Sequence, residues 1–443
     1  MRTKLSRFAA IRPALQATTV LTLSAVLIAT AAPLHSITTA EAPPSAGACP
    51  ATAPPTAHAA ASPGSPAIAA RPARTGRFTL VALGDNRASD LDAHPGRYDL
   101  LICSDDARPE LIDTFRTRNP GAAVFYYFNT SDIDGDMIRY PFYKRLWDDI
   151  NPHEDWFHHD AKGERTRIYY PRFKNRCALN TGNEGLRNYL ASRVVEALRT
   201  GRYDGVQLDN VSTEFPFRED LVGSWHSGVP SGMTPDKWMA DEVALLRTVK
   251  RAVSDAGLRD KAIIFNHMRS GEPAESAAYL EASDGANCEY WMTIRTERDG
   301  RWGWKAKVDQ VLQANRNGKL TNVLNRSASL SEDEALFVFA SYLMAKDGSR
   351  AYFSYAPSYK VADQRTWYGF YDVDLGEPRG GCEARDGGFW RLFAKGGVAI
   401  NPTAASVIIS LPGRFRTLDG RTIEKLSLEG KRGAILLAAA PAP

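Results

Sequence analysis

Among its 443 residues the chain has no Cys-x-x-C pair, no Gly-x-Gly-x-x-Gly or Gly-x-x-x-x-Gly-Lys-[Ser/Thr] turn and no Gly-x-Ser-x-Gly elbow. The first absence argues against a structural zinc or a dithiol redox centre, the second against a nucleotide-binding doubly wound sheet, and the third against an α/β-hydrolase nucleophile. Charge of one sign is scarce too. The formal net charge is +4, but Arg2, Lys4, Arg7 and Arg12 lie in residues 1–42 with only Glu41 to oppose them. Without that stretch the charge is about +1, which leaves no electrostatic footprint for a nucleic acid. What remains, 44% hydrophobic and 10% aromatic, is the composition of a globular protein with a sizeable core.

The basic start is followed by an uncharged run, Ala14 to Ala32, that ends in small residues. This is the order of a secretory signal over residues 1–42, with cleavage after Ala31 or Ala42. Residues 43–76 hold 8 of the 26 prolines, 12 alanines, no Asp or Glu, and Ile68 as the only large aliphatic. Such a stretch cannot bury enough to offset its ordering entropy and is expected to be a disordered linker. The mature protein is expected to be secreted or periplasmic, with no stable membrane insertion after signal cleavage. Cys177 and Cys382 fall in loop-like sequence and are the expected disulfide, whereas Cys103 and Cys288 lie in apolar runs as buried thiols.

From residue 77 the pattern changes to short β-branched and aromatic runs alternating with helical stretches, the signature of parallel βα units. Eight runs are expected to be strands: Phe78 to Asp85, Tyr98 to Asp105, Ala122 to Asn129, Tyr203 to Val211, Lys261 to His267, Ala286 to Trp291, Leu320 to Asn325 and Arg350 to Tyr355. Between them, Thr234 and Pro235 open a helix that Gly257 closes, and Ser331 with Glu334 makes a capping box before a helix ended by Gly348. Leu186, Leu190, Val194 and Leu198 form another helical stripe. The helices after the first and fifth strands are poorly marked. The fold class predicted is an α/β (β/α)8 barrel of the TIM type over residues 77–388. Residues 389–443 switch to strand-and-turn spacing, with Pro412-Gly413 and Asp419-Gly420 as turns, and are expected to form a C-terminal antiparallel β-sandwich.

In such a barrel the reacting side chains stand at the C-terminal ends of the strands. Those ends carry Asp85, Asp105 and Asp106, Tyr127 and Asn129, Asp209 and Asn210, Asn266 and His267, Glu289 and Trp291, Asn325, and Tyr355. A ring of carboxylates, amides and aromatics suits a sugar: hydroxyls need paired donors and acceptors, pyranose faces stack on rings, and two carboxyls do the acid–base work. Strand alternation puts Gly205, Gln207 and Asp209 on one face, so Asp209 is placed at the open end of the interior as an ionised nucleophile. Glu289, beside Tyr290 and Trp291, is expected to be partly desolvated and raised toward the pKa of a general acid; Asp85, Asp105 and Asp106 are its rivals, and with Asp105 as the acid the pair would come from the second and fourth strands. Asp85, Asp105, Tyr127, Asn129, Asn210, Asn266, His267, Trp291, Asn325 and Tyr355 are the expected substrate contacts. No metal or organic cofactor is expected.

The run Tyr203-Asp204-Gly205-Val206-Gln207-Leu208-Asp209-Asn210, the pair Asn266-His267, the triplet Glu289-Tyr290-Trp291 and the tail from Phe389-Trp390-Arg391 to Asn401-Pro402 together resemble hypothetical glycoside hydrolase family 15. More distantly they resemble glycoside hydrolase family 114, the endo-α-1,4-polygalactosaminidase group. The resemblance covers roughly residues 77 to 440. It implies a TIM barrel with a C-terminal β-sandwich, Asp209 in the nucleophile position and a carboxylate from a later strand as acid/base.

Other signals are weaker. His153-Glu154-Asp155-Trp156-Phe157-His158 has the wrong spacing for a zinc helix, and reads as a loop over the barrel mouth with Trp156 as a stacking platform. Arg165, Arg167, Arg172, Lys174 and Arg176 interleave with Tyr169, Tyr170 and Phe173, either as a solvated loop or as a patch for anionic glycans. The leading expectation is an exported glycoside hydrolase acting on an oligo- or polysaccharide. The alternatives are a non-catalytic carbohydrate-binding protein on the same barrel and a metal-dependent deacetylase.

Overall fold

Eight of the β-branched and aromatic runs form strands: β1 (Thr79–Ala82), β2 (Leu100–Ser104), β3 (Ala123–Asn129), β4 (Gly205–Asp209), β5 (Ala262–Asn266), β6 (Gly285–Glu289), β7 (Leu320–Arg326) and β8 (Ala351–Ala356). The computed structural model describes residues 74–84, 86–93, 96–104, 109–170, 173–268 and 273–439. The expected signal, residues 43–73 of the expected linker with Cys49, and Asp85, Asp105 and Asp106 lie outside the described residues; the last three linker positions are instead ordered, with Arg74 paired to Asp99 at 3.0 Å and the Thr75 N–H donating to the Val373 carbonyl at 3.2 Å.

The strands pair in parallel and in chain order. The ring closes where Phe78 bridges Phe353 and the Phe353 N–H donates to the Arg77 carbonyl at 2.9 Å. Further along this seam a side chain replaces a strand. The Gln364 amide accepts the Val81 N–H at 3.1 Å and donates to the Val81 carbonyl at 2.5 Å, satisfying both backbone groups of that residue of β1. The interior is apolar at the N-terminal ends of the strands, where Leu100, Ile102, Phe125, Ile264, Leu320 and Tyr352 pack together.

Among the described residues six helices cover the barrel: α1 (Pro109–Arg118), α2 (Glu184–Arg199), α3 (Pro235–Asp255), α4 (Pro273–Ala282), α5 (Trp304–Arg316) and α6 (Glu332–Ala345). Thr234 caps α3 by accepting the Lys237 N–H, and Leu186, Leu190, Val194 and Leu198 are the buried stripe of α2. Ser331 caps α6 through the Glu334 N–H at 3.2 Å, but Glu334 does not return the bond. Its carboxylate accepts Ser327, Ser329 and Tyr355 instead, so the expected capping box is half formed. After β1 the described residues hold only the 3-10 turn Ala88–Ala93.

Two features depart from expectation. Between β3 and β4 stands an antiparallel three-stranded sheet, Asp132–Asp134, Arg167–Tyr170 and Phe173–Ala178, with the helix Pro141–Ile150. It contains Cys177, a buried thiol that is not joined to Cys382, also buried; the expected disulfide is not formed. The basic and aromatic patch is partly consumed in the same region. Arg165 pairs with Glu154 and lies over the Phe157 ring, and Arg176 bonds Asp132 at 2.8 Å. Trp156 is likewise committed, stacked on His153 and packed against Tyr189 of α2.

The C-terminal antiparallel domain is one six-stranded sheet: β9 (Glu383–Arg385), β10 (Gly388–Phe393), β11 (Gly396–Asn401), β12 (Val407–Thr417), β13 (Thr422–Leu428) and β14 (Arg432–Ala438), in the order β9-β10-β11-β14-β12-β13. Pro412-Gly413 is not a turn between two strands. It sits within β12, where the register shifts between Ser410 and Phe415, a bulge that bends the strand. The sheet encloses Trp390, Ile409, Phe415 and Leu436 and rests on α6. A Cβ at Gly433 would come within 2.7 Å of the Ala340 Cβ, so only glycine permits that approach.

Arg391 completes the joint. Its guanidinium is buried and donates to the carbonyls of Leu343 at 2.9 Å, Met344 at 3.0 Å and Lys346 at 2.5 Å, which are the unpaired acceptors at the end of α6. Replacing it by Met strands those carbonyls in a dry contact. Arg391→Met is therefore expected to lose about 3 kcal/mol or more of unfolding free energy, read from chemical denaturation.

Candidate active site

Alternation along β4 sends Val206 and Leu208 to the helical layer and Gly205, Gln207 and Asp209 to the interior. Gly205 is required there: a Cβ would sit 2.9 Å from the Phe125 ring and 2.5 Å from the Ala262 carbonyl oxygen. By the same alternation Asn266 ends β5 and Glu289 ends β6 facing inward, so Asp209, Asn266 and Glu289 meet at the C-terminal mouth.

A single amide joins the two carboxylates. Asn266 Nδ2 donates to Asp209 Oδ1 at 2.5 Å and to Glu289 Oε2 at 3.1 Å. Asp209 also accepts the Tyr127 hydroxyl. Glu289 also accepts the Tyr359 hydroxyl at 2.5 Å, and its Oε2 lies 3.0 Å from His267 Nε2. One oxygen each of Asp209 and Glu289 and one His267 nitrogen lie within 4.8 Å of one another.

These contacts set the charges. Burial first, and then the adjacent Asp209 charge, push the Tyr127 hydroxyl far above its ordinary value, so it remains a donor; burial and Glu289 do the same to Tyr359. Glu289 differs from the sequence-based expectation. Burial does push its carboxyl up, but hydrogen bonds from His267, Tyr359 and Asn266 outweigh burial and hold it well below the ordinary 4.5. Its surroundings are a cradle of donors rather than an apolar pocket, because Tyr290 turns outward and is half exposed.

Three successive strand ends share a backbone feature. Asn210, His267 and Tyr290, each the residue after an inward Asp209, Asn266 or Glu289, have φ of 62°, 67° and 54°. Left-handed non-glycine residues cost energy and mark places where geometry outranks local comfort.

The remaining expected contacts divide. Tyr127, Asn266 and His267 touch the carboxylates. Asn129 and Asn210 do not; both donate to Asp132, at 3.0 and 3.2 Å. Asp132 is a third buried carboxyl that sequence reading missed, pushed up by burial and by Asp209, against the pull of Arg176. Asn325 and Tyr355 face away from the mouth, whereas Trp291 walls a cavity beside Glu289. Even-numbered residues of β7 point inward, so Asn325 points outward, accepting the Met292 N–H at 2.9 Å and donating to the Ser354 carbonyl at 3.0 Å. Trp291 donates to the Lys307 carbonyl of α5, and Tyr355 donates to Glu334 at 3.2 Å. Tyr359, beyond the last strand, was also missed, since no periodicity marks it. A cavity of about 180 Å3 opens beside Glu289, walled by Trp291 and Met268 and rimmed by Glu214, Lys307 and the half-exposed rings of Tyr290 and Trp302.

Asp209, His267 and Glu289 have the ligand types of a metal centre. The donors around them argue for another use. Tyr127, Asn266 and Tyr359 aim O–H and N–H groups at the carboxylate oxygens a cation would need, which is how an anionic pair is held.

A sequence model described as hypothetical glycosyl hydrolase family 15 matches residues 116–397, more than half of the chain. The chain belongs to that family. As a member of family 15 the protein is a glycoside hydrolase, and its substrate is a carbohydrate. No curated protein matches the sequence. Among solved structures, the chain is similar to a variant of the glycoside hydrolase domain of PelA from Pseudomonas aeruginosa, with 12% identity over 64% of this chain and 96% of that one and a TM-score of 0.39. It is also similar to the noncanonic maltogenic α-amylase AmyB from Thermotoga neapolitana, with 11% identity over 82% and 99% and a TM-score of 0.48. An α-amylase from Malbranchea cinnamomea gives 11% identity over 82% and 96%, with a TM-score of 0.46.

Because the folded pKa of Glu289 is depressed, its ionised form contributes stability above the ordinary 4.5 that is lost as pH falls below it. The difference in unfolding free energy between wild type and Glu289→Gln is expected to be widest near neutrality and to shrink on acidification. Urea unfolding at a series of pH values reads this directly; a pH-independent difference contradicts it.

Proposed function

We propose that Asp209 and Glu289 are the reacting carboxylates of an exported family 15 glycosidase that cleaves an oligo- or polysaccharide with retention of configuration. The observation that carries the reading is their spacing. Carboxyls about 5 to 5.5 Å apart allow direct attack on the sugar, whereas about 6.5 to 9.5 Å is needed to seat a water between. One oxygen of each carboxylate lies within 4.8 Å of one of the other, and a single Asn266 amide bridges the two, which supports the closer spacing.

Asp209 attacks the anomeric carbon as the glycosidic C–O bond breaks. The leaving oxygen takes a proton from the couple formed by Glu289 and His267. Because Glu289 alone is held as an anion, the proton has to come from His267 in its imidazolium form: it passes from Nε2 to Oε2, 3.0 Å away, and on to the leaving oxygen, and leaves a neutral imidazole. In the second half the couple takes a proton from water, whose oxygen attacks the same carbon and releases Asp209. The half-exposed rings of Tyr290 and Trp302 beside Glu289 suit the apolar face of a pyranose. The near-neutral mature chain and the leader-like N-terminus favour an extracellular glycan over a nucleic acid.

Wild type and variants are to be compared on a panel of bacterial exopolysaccharides by release of reducing ends. Asp209→Asn is expected to abolish release, and azide added to Asp209→Gly is expected to yield a glycosyl azide. Glu289→Gln is expected to lose about 10^2- to 10^4-fold. Reducing ends released by Asp209→Asn at the wild-type rate overturn the assignment; glycan binding by the wild type without release favours a non-catalytic binding protein. Dialysis against a chelator is expected to leave activity unchanged, and its loss would favour a metal-dependent hydrolase.

A further inference from the structure

Below the two carboxylates the barrel interior is crossed by polar side chains that no step above uses. Thr79 of β1, Asn322 of β7 and Asn287 of β6 are buried, the two amides at 0% exposure. Burying such groups is costly unless every bond is made, and apolar side chains of equal volume fill barrel interiors without that cost. Their register is matched. Asn266 is level with Asn287, and Asn287 with Asn322, so three amides sit side by side on neighbouring strands.

The bonds between them run one way. The His267 backbone N–H donates to Asn266 Oδ1 at 2.8 Å; a backbone N–H can only donate, so this fixes which end of the Asn266 amide is oxygen. Asn266 Nδ2 must then face the carboxylates. Asn287 Nδ2 reaches the same Asn266 Oδ1 at 2.5 Å, which leaves Asn287 Oδ1 to accept Asn322 Nδ2 at 2.8 Å. Asn322 Oδ1 in turn accepts the Thr79 hydroxyl at 2.7 Å. Every amide dipole therefore presents its positive end toward Asp209 and Glu289, like the N–H end of a short helix laid across the strands.

We propose that Thr79, Asn322 and Asn287 are positioning residues that form a one-way hydrogen-bond chain across the barrel, holding Asn266 with its N–H edge on both carboxylates. The inference rests on Asp209 and Glu289 being the reacting pair. The chain keeps Glu289 ionised and the two carboxylates at fixed spacing from a distance of three side chains, with no contact to substrate.

Other groups face the carboxylates and stay in place when the chain is cut. On the Asp209 side these are Tyr127 of β3 and Asp132 with its partner Arg176. On the Glu289 side they are His267 and Tyr359, with Arg326 lying over the Tyr359 ring at 4.9 Å and bonding the Tyr290 hydroxyl at 2.7 Å. Glu214 and Lys307 border the adjoining cavity.

The test follows protonation of the Glu289 carboxyl by infrared difference spectroscopy, each protein minus its Glu289→Gln counterpart, through an acid titration of the full chain. Thr79→Val keeps shape and removes the last donor, and is expected to raise the midpoint by about half a unit; Asn287→Leu is expected to raise it by about one unit. Thr79→Ser restores the wild-type midpoint. The acid limb of reducing-end release moves by the same amounts. Midpoints equal to wild type in Thr79→Val and Asn287→Leu, with only the melting temperature lowered, overturn the proposal and leave the amides a structural filling. Should Asn287→Leu fail to fold, the Thr79→Val and Thr79→Ser pair decides. Absence of reducing ends from wild type on every glycan defeats the proposed function alone, because the infrared titration needs no substrate.

Discussion

Two negative charges held within 4.8 Å in a buried mouth are the constraint around which the barrel is arranged. At the effective dielectric of a protein interior two unit charges at that distance repel by about 3.5 kcal/mol, and the His267 imidazole stands against only one of the two. The compensation is by donors: one amide shared by both carboxylates, a tyrosine hydroxyl on each, and an imidazole on one. Charge-assisted bonds contribute roughly 1.5 to 3 kcal/mol each, so the set is sufficient, provided none of the donors can turn away. The rest of the interior supplies that condition, with apolar packing below and the aligned amides between.

The eight strands are legible in the sequence because each is a run of β-branched and aromatic residues bounded by polar ends, and burial on both faces leaves little else such runs can be. Asp209 is legible for a related reason: Gly205 and Gln207 share its parity, and a glycine in a strand asks for a close neighbour, which the Phe125 ring provides. Parity also explains the failures. Asn325 and Tyr355 stand at strand ends and are polar, yet odd numbering in β7 and β8 sends them outward to tie loops and α6. Leu320, Asn322 and Leu324 carried that information, since a lone amide between leucines marks the face where a polar partner waits.

What was missed was of two kinds. In the insertion of residues 132–178 one short helical stripe, Phe142, Leu146 and Ile150, was passed over, and the short strands, paired to loops, owe their form to Asp132, Arg176 and the backbone rather than to a buried stripe. The state of Glu289 was misjudged because the donors that set it, His267, Asn266 and Tyr359, are distant in sequence, while Tyr290 and Trp291 border the cavity beside it. Tyr359 comes from seventy residues away, and a donor at that separation has no local signature. In the C-terminal sheet, Pro412-Gly413 has turn chemistry but bends a strand, since both flanks pair with β13.

The left-handed residues at positions 210, 267 and 290 have a consequence for how such a protein changes over time. Each lies where a strand hands over to a loop, and each takes a left-handed backbone conformation directly after an inward side chain. The loop beyond is thereby decoupled from the strand behind. It can lengthen, shorten or acquire a sheet of its own without transmitting torque to the group it follows. A family built this way can diversify what it grips at the rim while the chemistry underneath stays in register.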